Sequence, residues 1–387
     1  MEKTWRWFGD KDPVSLGTLR QTGVEGIVTS LYDLPGGTVW PETEILALKE
    51  RIEAAGLHWS VVESLPVPEA VKYGGPERDA LIENYKTSLE NLGRCGIKTV
   101  CYNFMPVIDW IRTDLEHPLP DGSSTLFFDF VRFAYFDLRI LERPGAEADY
   151  APDVLDKVAA LGEVITEEER HALVDTIITK TQGFICGNFG EGDAEPVLKF
   201  RKMLVPYEGL GRDGLRTNLK YFLDTVMPVC DRFGIDLCIH PDDPPMHRVF
   251  GLPRIVTDRE DIGWILSCVD NPHNGLTFCA GTLSSAERND VVAMAREFRQ
   301  RTHFIHLRSC ELLPGGDFIE APHTSGRARL PELVRIFEAD GRNLPMRVDH
   351  GKLHPEDRDK GYPPGYSFIG RLEALRQVEG MMAATRR

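Results

Sequence analysis

Short apolar, β-branched runs alternate along the chain with longer stretches in which apolar residues recur every three to four positions. That alternation predicts βαβ units and a parallel sheet. Eight runs read as strands: Thr4–Phe8, Gly26–Leu31, His58–Glu63, Thr99–Phe104, Asp236–His240, Leu276–Cys279, His303–Leu307 and Met346–Asp349. Turn signals stand ahead of the third, fourth and fifth, at Ala55-Gly56, Cys95-Gly96 and Phe233-Gly234. Between strands, Glu42–Ala54, Arg78–Leu92 and Leu215–Arg232 carry the period of amphipathic helices. Eight strand–helix repeats predict an α/β fold of the closed (β/α)8 TIM-barrel type. An open doubly wound sheet is the alternative, but no Gly-x-Gly-x-x-Gly follows a strand, so nothing marks a dinucleotide site.

One interval breaks the rhythm. About 130 residues separate the fourth strand from the fifth, too long for an ordinary barrel connection. The interval contains an acidic helical stretch, Asp153–Lys180, and a glycine-rich loop, Gly183–Gly192. It has no βα rhythm of its own. The expectation is one TIM-barrel domain over 1–387, with a long helical insertion over roughly 107–214 packed on or beside the barrel mouth as part of a lid.

Composition narrows the partners. The chain is 42% hydrophobic and 27% charged, as expected of a soluble globular protein. No apolar run reaches the ~20 residues of a membrane span. The N-terminal segment has no apolar signal-peptide core, so the chain is read as cytoplasmic. A net charge of −15 without a basic stripe argues against nucleic acid, while a small anionic substrate stays compatible through a metal and a few arginines. Barrels of this size often associate, so a homo-oligomer fits as well. None of the eight cysteines forms a Cys-x-x-Cys pair, and most read as reduced, packed thiols.

Four strand ends finish on metal-binding residue types: His240, Cys279, His306 and Asp349. In a (β/α) barrel the C-terminal strand ends converge on one mouth, so two imidazoles, a thiolate and a carboxylate can surround one divalent ion. Singly, each has a plainer reading: a hydrogen-bonded core histidine, a buried thiol, a helix-capping aspartate. Their joint occurrence on four consecutive strands favours the metal site. Beside Asp349 stands His350, a residue type suited to general acid or base work or to a supporting place near the metal. Arg308 and Arg347 flank the ligand positions and can clamp a substrate carboxylate, or simply pair with neighbouring acids. Gly361-Tyr-Pro-Pro-Gly-Tyr366 is a turn-rich loop that can bring a phenol over the mouth.

These residues, with Thr4-Trp-Arg-Trp, Trp59-Ser-Val-Val-Glu-Ser, Cys101-Tyr-Asn-Phe-Met-Pro and Arg143-Pro-Gly-Ala-Glu-Ala-Asp, closely resemble the mannonate dehydratases of hexuronate (glucuronate) catabolism, from the N-terminus to Arg371 and beyond. The resemblance implies a xylose-isomerase-like TIM barrel with one Mn²⁺ or Fe²⁺ per active site. It implies conversion of D-mannonate, an aldonate, into 2-keto-3-deoxy-D-gluconate and water. It also implies that His240, Cys279, His306 and Asp349 hold the metal and that His350 and Tyr366 are catalytic. The chain departs from the family pattern at Leu31-Tyr-Asp33 and at Gly326-Arg-Ala-Arg329, which leaves the metal set intact.

Other readings remain at this level. A metal-dependent sugar isomerase or epimerase on the same barrel would lean on paired carboxylates rather than a thiolate and histidines. An abasic-site nuclease conflicts with the acidic charge. A catalytically dead binding barrel would hold no stoichiometric metal.

Overall fold

Residues 1–182, 189 and 192–385 are described by a computed structural model. Most of the Gly183–Gly192 loop, including Cys186, lies outside them. In chain order the strands are β1 (Glu2–Arg6), β2 (Gly26–Thr29), β3 (His58–Glu63), β4 (Thr99–Tyr102), β5 (Asp114–Pro118), β6 (Ser124–Phe128), β7 (Asp236–Ile239), β8 (Asn274–Cys279), β9 (Thr302–Leu307), β10 (Ser309–Leu312), β11 (Phe318–Ala321) and β12 (Pro345–Val348), besides a two-residue pairing of Arg248–Val249 with Leu252–Pro253. Eight of them close a parallel barrel in the order β1-β12-β9-β8-β7-β4-β3-β2. All eight predicted runs are barrel strands, with ends shifted by a few residues. The TIM barrel is therefore the fold.

The predicted helices form too: Glu42–Ala54, Arg78–Arg94 and Arg212–Phe233. The first buries Ile45, Leu48 and Ile52, one face of a 3.6-residue period. Each such side chain contributes roughly 1.5–3 kcal/mol when removed from water. The acidic stretch Asp153–Lys180 is not continuous. It breaks after Val164, where Thr166 and Glu169 form a reciprocal capping box that starts the next helix. No helix among the described residues is long and apolar enough to cross a membrane. Six of the seven described cysteines are buried, and none is in a disulfide.

The insertion is not purely helical, which corrects the expectation. Its strands β5 and β6 form a hairpin around Asp121-Gly122, and β6 pairs with β11 in an antiparallel sheet of order β10-β11-β6-β5. This accessory sheet joins the insertion to the segment that follows β9. Phe128 stacks on Phe318 across it, with ring centroids 5.0 Å apart. A second apolar core, built mainly from insertion residues such as Phe133, Phe136, Ile177 and Phe200, also takes in Phe250, Cys310 and Phe318.

Inside the barrel, Val28, Val61, Cys101, Cys238 and Phe304 from five strands pack into one apolar layer. Side chains two positions along a strand share a face. The next residues up on that face are Ser30, Glu63, Asn103, His240 and His306. A dry plug thus forms the floor beneath a polar layer at the strand ends.

His323, just past β11, is buried, and its Nε2 donates to the Leu307 carbonyl at 2.8 Å. Burial outweighs that hydrogen bond and pushes its pKa down to about 4. In the unfolded chain an imidazole takes up its proton near pH 6.5. Below that pH the unfolded state binds more protons, so this stabilisation is complete above pH 6.5 and is lost as pH falls toward 4. The loss amounts to roughly 3 kcal/mol at most. Thermal melting between pH 7 and 4 is expected to fall less steeply in H323Q than in the parent. Parallel curves would assign the acid limb to other groups.

Candidate active site

The ends of β7, β8, β9 and β12 bring the predicted ligand residues to one mouth. The ladder extends one residue past β7 and β12, because His240 N donates to Tyr102 O at 2.8 Å and Asp349 N to Leu307 O at 3.1 Å. Cys279 is in register with His306, and His306 with Arg347. One ligand atom from each of His240, Cys279 and His306 lies within 4.8 Å of the others. Asp349 stands beside this trio, its Oδ2 3.8 Å from Cys279 Sγ. Cys279 and His306 are fully buried, whereas His240 is partly accessible from the cavity.

The donor set suits a divalent ion. His306 Nε2 is buried without a hydrogen-bond partner, and a bound cation would satisfy it. His240 Nδ1 lies 2.7 Å from the Pro241 carbonyl. A carbonyl only accepts, so Nδ1 carries a proton, and Nε2 is the atom that would bind a metal once its own proton is displaced. Burial alone would raise the Cys279 pKa, but His240 and Arg308 bring it well below the ordinary thiol range, toward the thiolate that binds metal. Conversely, burial works against a charged His240, yet Cys279 beside it lifts its pKa to about 9. A second group, His247, Asp258 and Asp261, also brings its ligand atoms within 4.8 Å of one another. There Arg212 and Arg216 already pair with Asp261, and Arg288 with Asp258.

Arg308 and Arg347 line the same cavity as Glu63, His240, Asp349 and Tyr366. Both guanidinium groups are buried and taken up by acids. Arg308 donates to Asp349 Oδ2 at 2.9 Å, Asp243 Oδ2 at 2.8 Å and Glu320 Oε1 at 2.6 Å. Arg347 holds Glu63 in a bidentate pair at 2.9 and 3.0 Å and also donates to Asp349 Oδ1. Arg112, from the insertion, bridges Asp243 and Glu320. Arg6, at the end of β1, pairs with Glu63 at 2.9 Å, and its buried Nε has no hydrogen-bond partner. Four buried arginines therefore face four buried carboxylates: Glu63, Asp243, Glu320 and Asp349. Breaking one such pair typically costs 3–5 kcal/mol, because the remaining charge is left buried and uncompensated.

His350 and Tyr366 meet over this shell. Their rings are edge-to-face with centroids 5.2 Å apart, and Trp110 covers His350 from the insertion at 5.1 Å. Tyr366 Oη is 3.5 Å from Asp349 Oδ1 and 3.4 Å from Arg6 Nη1. Burial raises its pKa to about 12 against the pull of Arg347 and Arg6, so the phenol keeps its proton near neutrality. His350 Nδ1 lies 2.8 and 2.9 Å from the two oxygens of Glu320. Two glycines allow this approach. Gly365 has φ +81°, and a Cβ there would come within 2.8 Å of the His350 ring. A Cβ on Gly370 would lie 2.0 Å from the Lys352 carbonyl.

All eight residues singled out in the sequence thus gather at one end of the barrel. Sequence reasoning passed over Arg6, Glu63, Asn103, Asp243, Arg112 and Glu320. Arg6, Glu63 and Asn103 end barrel strands or directly follow them, so the strand-end rule applied to all eight strands would have found them. The two segments that depart from the family pattern fall differently. Tyr32 packs 5.9 Å from Phe8, which is in edge contact with Tyr366 at 4.9 Å, whereas Arg329 is exposed and pairs with Glu332.

Comparison with known proteins gives a consistent picture. The family model described as D-mannonate dehydratase (UxuA) matches residues 1–387. A mannonate dehydratase of Chromohalobacter salexigens is 43% identical over 393 residues, covering 99% of this chain and 98% of its own. One from a Marinomonas species is 43% identical over 391 residues, covering 98% of each. The crystal structure of mannonate dehydratase from Streptococcus suis serotype 2 superposes with a TM-score of 0.78 at 35% identity, over 100% of this chain and 95% of that one.

Proposed function

The chain belongs to the D-mannonate dehydratase family, and we propose that its barrel mouth carries out that reaction at a divalent ion held by His240, Cys279, His306 and Asp349. The enzyme converts D-mannonate to 2-keto-3-deoxy-D-gluconate and water. The observation that carries the metal site is the convergence of two imidazoles and a thiol within 4.8 Å, with His306 Nε2 buried and making no hydrogen bond, 3.6 Å from Glu63 Oε2. The ion is Mn²⁺ or Fe²⁺, in keeping with the family resemblance. Cysteine and histidine ligands would also accept zinc.

Two difficulties define the chemistry. The C2 hydrogen of an aldonate is a very weak acid, and the 3-hydroxyl is a poor leaving group. A divalent ion held by these residues would supply positive charge to offset the negative charge that builds on the substrate carboxylate as the C2 proton leaves. His350 and Tyr366 share the two proton transfers, one at C2 and one at the departing 3-hydroxyl. Trp110, from the insertion, lines the cavity beside His350 and takes up apolar surface there. Arg308 and Arg347 hold the acids of the shell in place, their donors being committed to Glu63, Asp243, Glu320 and Asp349. Arg6 lines the same cavity and pairs with Glu63. The resulting enol becomes the 2-keto acid without help from the protein.

A panel of aldonates tests this reading by release of 2-keto acid, run beside aldoses scored for ketose formation. Keto acid from D-mannonate and no ketose is the expected result. Ketose formation alone would move the chain to a sugar isomerase.

A further inference from the structure

We propose that Glu320 is the positioning residue of this site: from a strand outside the barrel, it fixes His350 in the Nδ1-protonated tautomer and so leaves Nε2 as the atom that exchanges a proton with substrate. The inference rests on the catalytic place given to His350 above.

Both Glu320 oxygens lie within hydrogen-bond distance of His350 Nδ1, at 2.8 and 2.9 Å. A carboxylate only accepts, so Nδ1 must donate. The opposite ring atom, Nε2, is 3.9 Å from Asp349 Oδ1, and His350 lines the cavity together with Asp349 and Tyr366. Glu320 is itself held rigidly. Arg308 Nη1 reaches Oε1 at 2.6 Å, and Arg112 donates to the same oxygen from Nη2 at 2.7 Å and Nε at 3.2 Å. Its backbone carbonyl accepts from Thr125 Oγ1 at 3.2 Å across the accessory sheet. With the tautomer set, a neutral His350 has its lone pair at Nε2, and a proton taken up there gives an imidazolium next to a carboxylate. In the reverse direction the same Nε2–H is the one given up. Glu320 neither gains nor loses a proton in either case. This arrangement, a carboxylate orienting an imidazole through its far nitrogen, selects the working tautomer by hydrogen bonding.

The test combines kinetics with ¹⁵N NMR of histidine-labelled protein. In the parent, His350 is expected as the Nδ1–H tautomer; an Nε2–H tautomer would overturn the proposal whatever the variants do. E320Q is expected to lower kcat by at least ~10², the usual scale of acid–base contributions, with metal content kept and KM for D-mannonate little changed. E320D, which keeps the charge, is expected to recover part of kcat. A near-parental kcat in E320Q, or a loss carried entirely in KM, would sink the assignment. H350N is assayed alongside. Near-normal turnover there would remove His350 from the mechanism, an outcome distinct from a failure at Glu320 alone.

Discussion

Stripping divalent metal from the enzyme is expected to abolish keto-acid release from D-mannonate, and returning Mn²⁺ or Fe²⁺ to restore it. The argument is electrostatic. Removing a proton next to a carboxylate concentrates negative charge on one end of the substrate, and the arginines nearest to it are already neutralised by Glu63, Asp243, Glu320 and Asp349. The shell of paired charges has little cationic capacity left, so the ion must carry the stabilisation. Lewis-acid assistance of several kcal/mol corresponds to a loss of at least ~10³ in turnover. Chelated and reconstituted protein assayed side by side, with metal content measured on both, gives the answer. Full activity in metal-free protein would overturn the metal-dependent mechanism. Metal that fails to rebind would instead question the ligand set.

Replacing His350 by Asn is expected to reduce turnover by at least ~10² while leaving metal bound. The amide can still donate toward Glu320 from nearly the same place, so the ion-paired shell keeps its partner. What it cannot do is accept and release a proton during catalysis. Melting temperature and metal content report whether the site is intact, and initial rates report the chemistry. A variant that folds, binds metal and turns over normally would show that another group moves the proton.

Much of this was legible from the chain itself. The eight strands stand out because each is a short buried run between helices of a different period, and the four ligand-type residues stand out because they end such runs. Arg6 and Glu63 end strands too, but an arginine and a glutamate in an apolar run read as ordinary pairing residues until their partners are seen. Arg112 and Glu320 are harder still. They sit on segments off the barrel, and only the tertiary fold brings them to Asp243, Arg308 and His350. One sign of the accessory sheet was present. Asp121-Gly122 between two β-type runs is a hairpin signal, and Gly122 does adopt φ +87°. Within the acidic helical stretch, Thr166 and Glu169 are the capping-box signal that marks where a new helix starts.

The accessory sheet has a consequence for the order in which the enzyme is made. Thr125 and Glu320, which touch across it, are 195 positions apart in the chain. Contacts that close so long a loop form late, because the entropy of closure comes before any reward. The hairpin of β5 and β6 is synthesised early and waits without its partner strand until β11 follows. Only when the two meet does the imidazole gain its orienting carboxylate. Closing the barrel joins residues farther apart still, Thr4 and Met346 being 342 positions apart, so the barrel and the oriented imidazole are both completed only once the last strand is made.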